Sequence, residues 1–167
     1  DFVRSFLSSM RSTRLSAGKK EDERVMKKTL RVLIVEDRED DALLILRALQ
    51  KSGCEPSFER VETEEGMRVA LRDQLWDLVL SDYHLPRFNG MAALRLLKET
   101  GLDLPFILVS GAIGEETAVE IMKAGANDCV MKENLQRLAP AVERELRDAA
   151  VRRERLQAEQ DKRRAER

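Results

Sequence analysis

The chain has 167 residues, of which 43% are hydrophobic and 37% charged, a composition that suits one compact domain of about 120 residues with charged extensions. Its net charge of −1 is uneven, since residues 1–28 carry +4, residues 147–167 carry +3 and the stretch between them −8. An acidic centre excludes direct nucleic-acid binding there, because such a surface needs a basic stripe. Two cysteines are too few for a disulfide framework. No apolar run is long enough for membrane insertion, so we expect a cytoplasmic protein.

The chain divides by composition into three parts. We expect residues 1–28 to be a basic leader or linker without a fixed fold, residues 29–148 to form the folded domain, and residues 149–167 to extend its last helix as a charged rod. From residue 30 onward, short runs rich in Val and Ile alternate with segments of helical period, which is typical of strand–helix repeats.

The predicted elements follow one another in strict alternation. In chain order we predict a strand over 30–35, a helix over 40–51, a strand over 56–61, a helix over 64–72, a strand over 77–81, a helix over 91–99, a strand over 105–109, a helix over 115–123, a strand over 127–131 and a last helix from about 135. Short connections between these elements predict an α/β fold of the flavodoxin-like, doubly wound type. We expect a five-stranded parallel sheet of order 2-1-3-4-5, with an extended C-terminal helix.

Two helices show an apolar stripe. In the first helix we assign Leu43, Leu44, Leu46 and Leu49 to the buried face, and in the last helix Leu138, Val142, Leu146 and Ala149. Trp76 and Phe106 flank strands and are interpreted as packing residues. Beyond residue 150 the stripe nearly vanishes, although a coiled-coil homodimer through Leu156 stays an alternative.

Reactive side chains follow the strands where each strand ends. Glu36 and Asp37 follow the first strand, Asp82 the third, Ser110 closes the fourth, and Lys132 follows the fifth. Because the carboxyl ends of parallel strands meet at one edge, and a crevice forms where strand order reverses, we expect these side chains to converge. Taken singly, Asp82 also suits a loop cap and the acid pair suits a helix cap.

Three carboxylates in one crevice repel one another, so the cluster predicts a bound cation. Mg²⁺ prefers such hard oxygen ligands. Transfer of a phosphoryl group to a carboxylate needs an in-line nucleophile with positive groups around the phosphoryl oxygens. Asp82 fits the nucleophile, Lys132 a neutralising cation and Ser110 a hydrogen-bond donor.

Several motifs together resemble the receiver domains of response regulators and hybrid histidine kinases. They are VLIVED at 32–37, LSDYHLP at 80–86 with Gly90, VSG at 109–111, and GAND at 125–128 followed by Lys132. The resemblance covers about residues 30–147. It implies a signalling domain of a two-component system, which catalyses only its own phosphorylation and dephosphorylation.

The resemblance also implies roles for single residues. Asp82 is then the phospho-acceptor, Asp37 a direct Mg²⁺ ligand and Glu36 a ligand through water, and the backbone carbonyl of His84 completes the protein ligands. Ser110 and Lys132 hold the phosphoryl group. The implied phosphodonor is a histidine kinase or a phosphotransfer protein, and the implied output face lies on helix 4, strand 5 and helix 5, at about 115–147, where a downstream domain or partner would bind.

Two positions depart from the pattern of the family. Cys129 stands where a switch aromatic is usual, and by itself it suits a small buried core residue. Glu133 follows Lys132 where Pro is common, so a cis peptide bond there is either costly or absent.

Two alternative functions remain open. The first is a pseudo-receiver or dimerisation scaffold, for which Cys129 argues. The second is a Mg²⁺-dependent phosphohydrolase with an aspartyl-phosphate intermediate, which is disfavoured because His84 stands where such enzymes carry a second Asp and because the chain has no room for a cap domain.

Overall fold

The computed structural model describes residues 29–167, so the predicted leader, 1–28, lies outside the described residues. The described strands are β1 (Leu30–Val35), β2 (Pro56–Val61), β3 (Leu78–Ser81), β4 (Phe106–Ser110) and β5 (Asp128–Met131). The helices of the same range are α1 (Glu39–Lys51), α2 (Glu64–Asp73), α3 (Gly90–Glu99), α4 (Glu115–Lys123), a short 3-10 helix (Lys132–Arg137) and α5 (Leu138–Ala165).

Within residues 29–167 the strands form one parallel sheet of order β2-β1-β3-β4-β5. The order reverses at β1, since β1 pairs with β2 on one side and with β3 on the other. This confirms the predicted doubly wound fold, and α5 confirms the extended C-terminal helix.

The sheet is covered on both faces, so its central strands β1, β3 and β4 are mostly apolar. Ile34 of β1 packs in the layer that holds buried residues of α1 and α5. Leu33, its neighbour, packs in the opposite layer with residues of α2 and α3, because successive side chains of a strand point to opposite faces. Each fully buried Leu or Ile stabilises the fold by about 1.5–3 kcal/mol. The prediction that Trp76 and Phe106 pack is confirmed, as both are buried in this second layer.

The buried face of α1 differs from the prediction. Leu46 and Leu49 are buried together with Ala42 and Ile45, but Leu43 is 43% exposed and Leu44 49%. The assignment of those two leucines was therefore wrong. Positions 42, 45, 46 and 49 follow the spacing of one helix face, whereas 43 and 44 fall beside it.

The last helix follows its predicted stripe and then leaves the domain. Its buried residues include Leu138, Val142, Leu146 and Ala149, as predicted. Beyond residue 150 the helix is almost entirely exposed, and Arg152 pairs with Asp103 at 3.1 Å. None of the helices in the described part of the chain has the length and apolar character that a membrane crossing requires.

Candidate functional site

The reversal of strand order places three carboxylates side by side. Glu36 and Asp37 follow β1, and Asp82 follows β3; each offers a carboxylate oxygen, and these oxygens lie within 4.8 Å of one another. The backbone N–H of Asp82 donates to Val35 O at 2.9 Å, which continues the pairing of β1 and β3 up to the site. Glu36 is fully buried and Asp82 is 7% exposed.

Lys132 brings a cation to this group from the end of β5. Its Nζ lies 2.8 Å from Asp82 Oδ2, 3.0 Å from Glu36 Oε2 and 2.8 Å from Asp41 Oδ2. An ammonium has three N–H bonds. The ammonium of Lys132 therefore contacts three carboxylates, one for each of its N–H donors.

The second oxygen of Asp82 is also held. Its Oδ1 accepts hydrogen bonds from the buried Ser110 Oγ at 3.1 Å and from the backbone N–H of Tyr83 at 2.7 Å. Ser110 ends β4, which neighbours β3 in the sheet. With Lys132 on the other oxygen, the Asp82 carboxylate is fixed in orientation from both sides.

Burial and neighbouring charges shift the pKa values of Glu36 and Asp82 in opposite directions. Burial, joined by the negative charge of Asp82, raises the pKa of Glu36 to about 7 although Lys132 acts to lower it. Burial also acts to raise the pKa of Asp82, but the hydrogen bond and charge of Lys132, with smaller contributions from Glu36 and Ser110, hold that pKa below its ordinary value. At neutral pH Asp82 is therefore ionised, while Glu36 is near its midpoint.

Lys132 keeps its charge at this site. Burial lowers the pKa of the ammonium, but the contacts with the Asp41, Asp82 and Glu36 carboxylates outweigh burial and raise that pKa above its ordinary value. Glu36 Oε2, in contrast, is buried and accepts no hydrogen bond of good geometry from the described residues, although the ammonium lies near it. Buried carboxylate oxygens with lone pairs to spare are what a hard divalent cation such as Mg²⁺ requires. The residues present fit that ion.

His84 and Cys129 border the site in different ways. The exposed His84 side chain places Nε2 2.7 Å from the carbonyl oxygen of Ala112, which links the loop after β3 to the loop after β4. The assignment of its own backbone carbonyl as a ligand stays a prediction. Cys129 is half-buried and packs against the core layer under α2 and α3. The expectation of a core residue is therefore confirmed in its packing but not in full burial, because β5 is an edge strand of the sheet. Residues 29–167 contain no cis peptide bond, at Glu133 or elsewhere.

Two residues near the site were not predicted. Asp41 contacts Lys132 from the first turn of α1. Arg60, on the edge strand β2, donates from Nη1 to the carbonyl oxygens of Glu36 at 3.1 Å and Asp37 at 3.4 Å. The parallel register of β1 and β2 could have predicted the position of Arg60, because it places this residue beside Ile34, two residues before Glu36.

Comparison with known proteins agrees with the geometry. The family model described as the response regulator receiver domain matches residues 32–143. The autoinducer 2 sensor kinase/phosphatase LuxQ of Vibrio vulnificus is 32% identical over 120 residues, which are 71% of this chain and 13% of LuxQ. The virulence transcriptional regulatory protein PhoP of Salmonella choleraesuis is 30% identical over 106 residues, which are 62% of this chain and 45% of PhoP. The chain thus spans less than half the length of both relatives.

Solved structures share the fold. The signal receiver domain of a LuxO repressor protein from Vibrio parahaemolyticus superposes with a TM-score of 0.66 at 24% identity, covering 74% of this chain and 95% of that one. The structure of FixJ-N superposes with a TM-score of 0.62 at 26% identity, covering 72% of this chain and 95% of that one. The chain belongs to the response regulator receiver domain family, a class of signalling domains of two-component systems.

Proposed function

We propose that this chain is a switchable binding domain that accepts a phosphoryl group on Asp82 with the help of Mg²⁺ and then presents a changed interaction surface. The observation that carries the proposal is the setting of Asp82. Its carboxylate is buried, ionised, fixed by Lys132 and Ser110, and next to two further carboxylates. We propose a histidine kinase or a phosphotransfer protein as the phosphodonor.

The chemistry assigns a task to each of these side chains. Glu36, Asp37 and Asp82, with the backbone carbonyl of His84, would hold Mg²⁺, which supplies positive charge beside the phosphoryl oxygens. An Asp82 oxygen forms the new bond to phosphorus, while the bond from phosphorus to the donor's nitrogen or oxygen breaks and its electron pair leaves with the donor. Lys132 neutralises charge that gathers on the phosphoryl oxygens, and Ser110 donates a hydrogen bond to one of them.

The transferred group changes the charge at this edge of the sheet. By analogy with other phosphorylated side chains, the aspartyl phosphate carries about −1.5 to −2 at pH 7 in place of the single negative charge of the Asp82 carboxylate. Ser110 and Lys132, which now bind Asp82, gain a stronger acceptor, and the loops that carry them reorder. We propose that the output surface lies on α4, β5 and α5, within residues 115–147, and that a downstream domain or partner binds there.

Cys129 supports a second candidate, a scaffold that does not depend on phosphorylation. A thiol at this position cannot fill the space of an aromatic ring, which favours the scaffold. If the domain does respond to phosphorylation, the structural change has to pass through Ser110, Lys132 and their loops. A phosphohydrolase is less well supported, because the His84 side chain is exposed and engaged with Ala112 O.

One titration separates these functions. Beryllofluoride, a mimic of the phosphoryl group, is added with Mg²⁺ to ¹⁵N-labelled protein, and amide spectra are recorded for the parent and for Asp82→Asn. We expect shifts around Ser110 and Cys129 in the parent alone. No shift in the parent contradicts the proposal in favour of the scaffold, and steady turnover of small phosphomonoesters contradicts it in favour of a hydrolase.

A further inference from the structure

Asp41 reaches the site from a part of the chain that the proposed chemistry does not use. It lies in the first turn of α1, and its Oδ2 accepts a hydrogen bond from Lys132 Nζ at 2.8 Å, across 91 residues of sequence. Its side chain is 22% exposed, so water only partly screens the pair. Asp41 is not one of the three carboxylates whose oxygens lie within 4.8 Å of one another.

The contacts of Lys132 set up a competition. Its ammonium holds Glu36 and Asp82, which are two of the three carboxylates that fit a divalent cation. Mg²⁺ and Lys132 therefore draw on the same pair of acids. Asp41 stands outside this competition, because it contacts the lysine but does not belong to that group of three carboxylates.

We propose, on the basis of the function proposed above, that Asp41 is a positioning residue that holds the Lys132 ammonium while a divalent cation occupies Glu36, Asp37 and Asp82. Held at one N–H by Asp41, the ammonium keeps its other two N–H bonds for phosphoryl oxygens. Without Asp41, the lysine has only Glu36 and Asp82 as partners and opposes the incoming cation. Asp41 thereby favours both metal binding and the correct placement of Lys132.

A simpler explanation is that Asp41 only adds negative charge at the start of a helix, where acids are favourable. Asp40 provides the matched control, because it lies in the same first turn, carries the same charge and is exposed. Replacing either residue by Ala removes one charge from the helix terminus. Only the replacement at position 41 removes the contact with Lys132.

The first measurement is the affinity for Mg²⁺, determined by calorimetric titration of the full chain. Asp41→Ala is expected to raise the Kd about five- to tenfold, the effect of losing a partly shielded charged hydrogen bond. Asp40→Ala is expected to raise it less than about twofold, as for an exposed charge. Asp41→Asn keeps an acceptor oxygen without the charge, and its Kd should fall between these values; it also decides the outcome if the Ala variant does not fold.

The second measurement observes the ammonium itself. In protein with ¹⁵N-labelled lysine, the Nζ signal of Lys132 is identified by its loss in Lys132→Ala and then recorded at saturating Mg²⁺. We expect a persistent signal in the parent and in Asp40→Ala, because Asp41 slows exchange of the ammonium protons with water. Asp41→Ala should lose the signal on saturation with Mg²⁺.

The outcomes separate this inference from the function on which it rests. If the parent binds Mg²⁺ but the position 41 and position 40 variants behave alike, the role of Asp41 is overturned and the proposed function stands. A persistent Lys132 signal in Mg²⁺-saturated Asp41→Ala overturns the role as well. A parent that binds no Mg²⁺ at millimolar concentration overturns both.

Discussion

At the scale of single residues, the site brings together carboxylates that repel one another, and Lys132 compensates part of their negative charge. Glu36 and Asp82 are buried side by side, and each would be costly to ionise without a compensating charge. Lys132 provides that charge, but it favours ionised Asp82 more than ionised Glu36, whose pKa rises to about 7. Without metal, Glu36 of the folded protein is therefore mostly protonated below about pH 7, and a bound Mg²⁺ would favour its ionised form.

The raised pKa predicts how stability depends on pH in the absence of metal. The folded-state pKa of Glu36, about 7, lies above its ordinary value of 4.5, so its contribution to stability is complete below about pH 4.5 and is lost as pH rises through about 7. Relative to Glu36→Gln, the parent should lose on the order of 2 kcal/mol of unfolding free energy between pH 5 and pH 8. Urea unfolding in the presence of a chelator measures this difference. A difference that stays constant over this range contradicts the assignment.

At the scale of elements, the loop from β3 to α3 fixes the place of Asp82. Gly90 begins α3, and its backbone N–H donates to Tyr83 O at 2.9 Å. A Cβ at Gly90 would lie 2.8 Å from Leu108 Cδ1 and 3.0 Å from the backbone oxygen of Asp82. The absence of a side chain thus allows the helix to approach the backbone of the loop that begins with Asp82.

This close approach predicts that Gly90→Ala is costly. Because the added methyl meets both a core leucine and the backbone of the loop, we expect a loss of about 1–3 kcal/mol in unfolding free energy. Gly114→Ala is the control, since a Cβ there meets nothing within 4 Å and its φ of −70° and ψ of 154° suit any residue. Its effect should stay below about 1 kcal/mol in urea unfolding. Equal losses in the two variants would remove the steric argument.

The face of α1 gives a matched pair of leucines. Leu46 is 5% exposed and Leu44 49%. Leu46→Ala should lower the free energy of unfolding by about 2–5 kcal/mol, because it leaves a cavity in the core. Leu44→Ala should change it by less than about 1 kcal/mol. Comparison of the two variants by urea unfolding checks the face, and the reverse order of effects would contradict it.

Sequence patterns predict the elements well here because two independent signals coincide. β1, β3 and β4 are covered on both faces and read as continuous apolar runs, and Gly53, Gly101 and Gly125 adopt positive φ at the ends of the preceding helices. The face of α1 was less predictable, because the correct stripe begins at Ala42, whose single methyl gives a weak signal. The two exposed leucines at positions 43 and 44 made the helical spacing of the buried residues hard to recognise.

At the scale of the whole molecule, topology assembles the site from four strand ends. Strand order alone predicts that the side chains following β1, β3, β4 and β5 meet, and the structure places them together. Asp41 and Arg60 escaped prediction, because their contacts depend on how the start of α1 and the edge strand β2 pack, and single-sequence patterns do not encode that. The roles of all these residues stay predictions until they are tested.

The C-terminal extension is expected to add little to the stability of the domain. Past residue 150 its described contact with the domain includes the pair between Arg152 and Asp103, whose side chains are 41% and 48% exposed, and such surface pairs contribute about 0–1 kcal/mol. A chain that ends at Ala150 should therefore unfold cooperatively with a free energy within about 1 kcal/mol of the parent. Urea unfolding checks this, and sedimentation of both chains tests the alternative of a homodimer through Leu156. A loss well beyond that range would make the extension part of the folded unit.

The central claim is that Asp82 is the phospho-acceptor, and direct labelling tests it. The parent, Asp82→Asn and the control Asp40→Asn are incubated with acetyl phosphate and Mg²⁺, and the intact masses are followed over time. We predict that the parent and Asp40→Asn gain a single phosphoryl group, that a chelator prevents the gain, and that Asp82→Asn gains none. Labelling of Asp82→Asn at the rate of the parent would contradict the account.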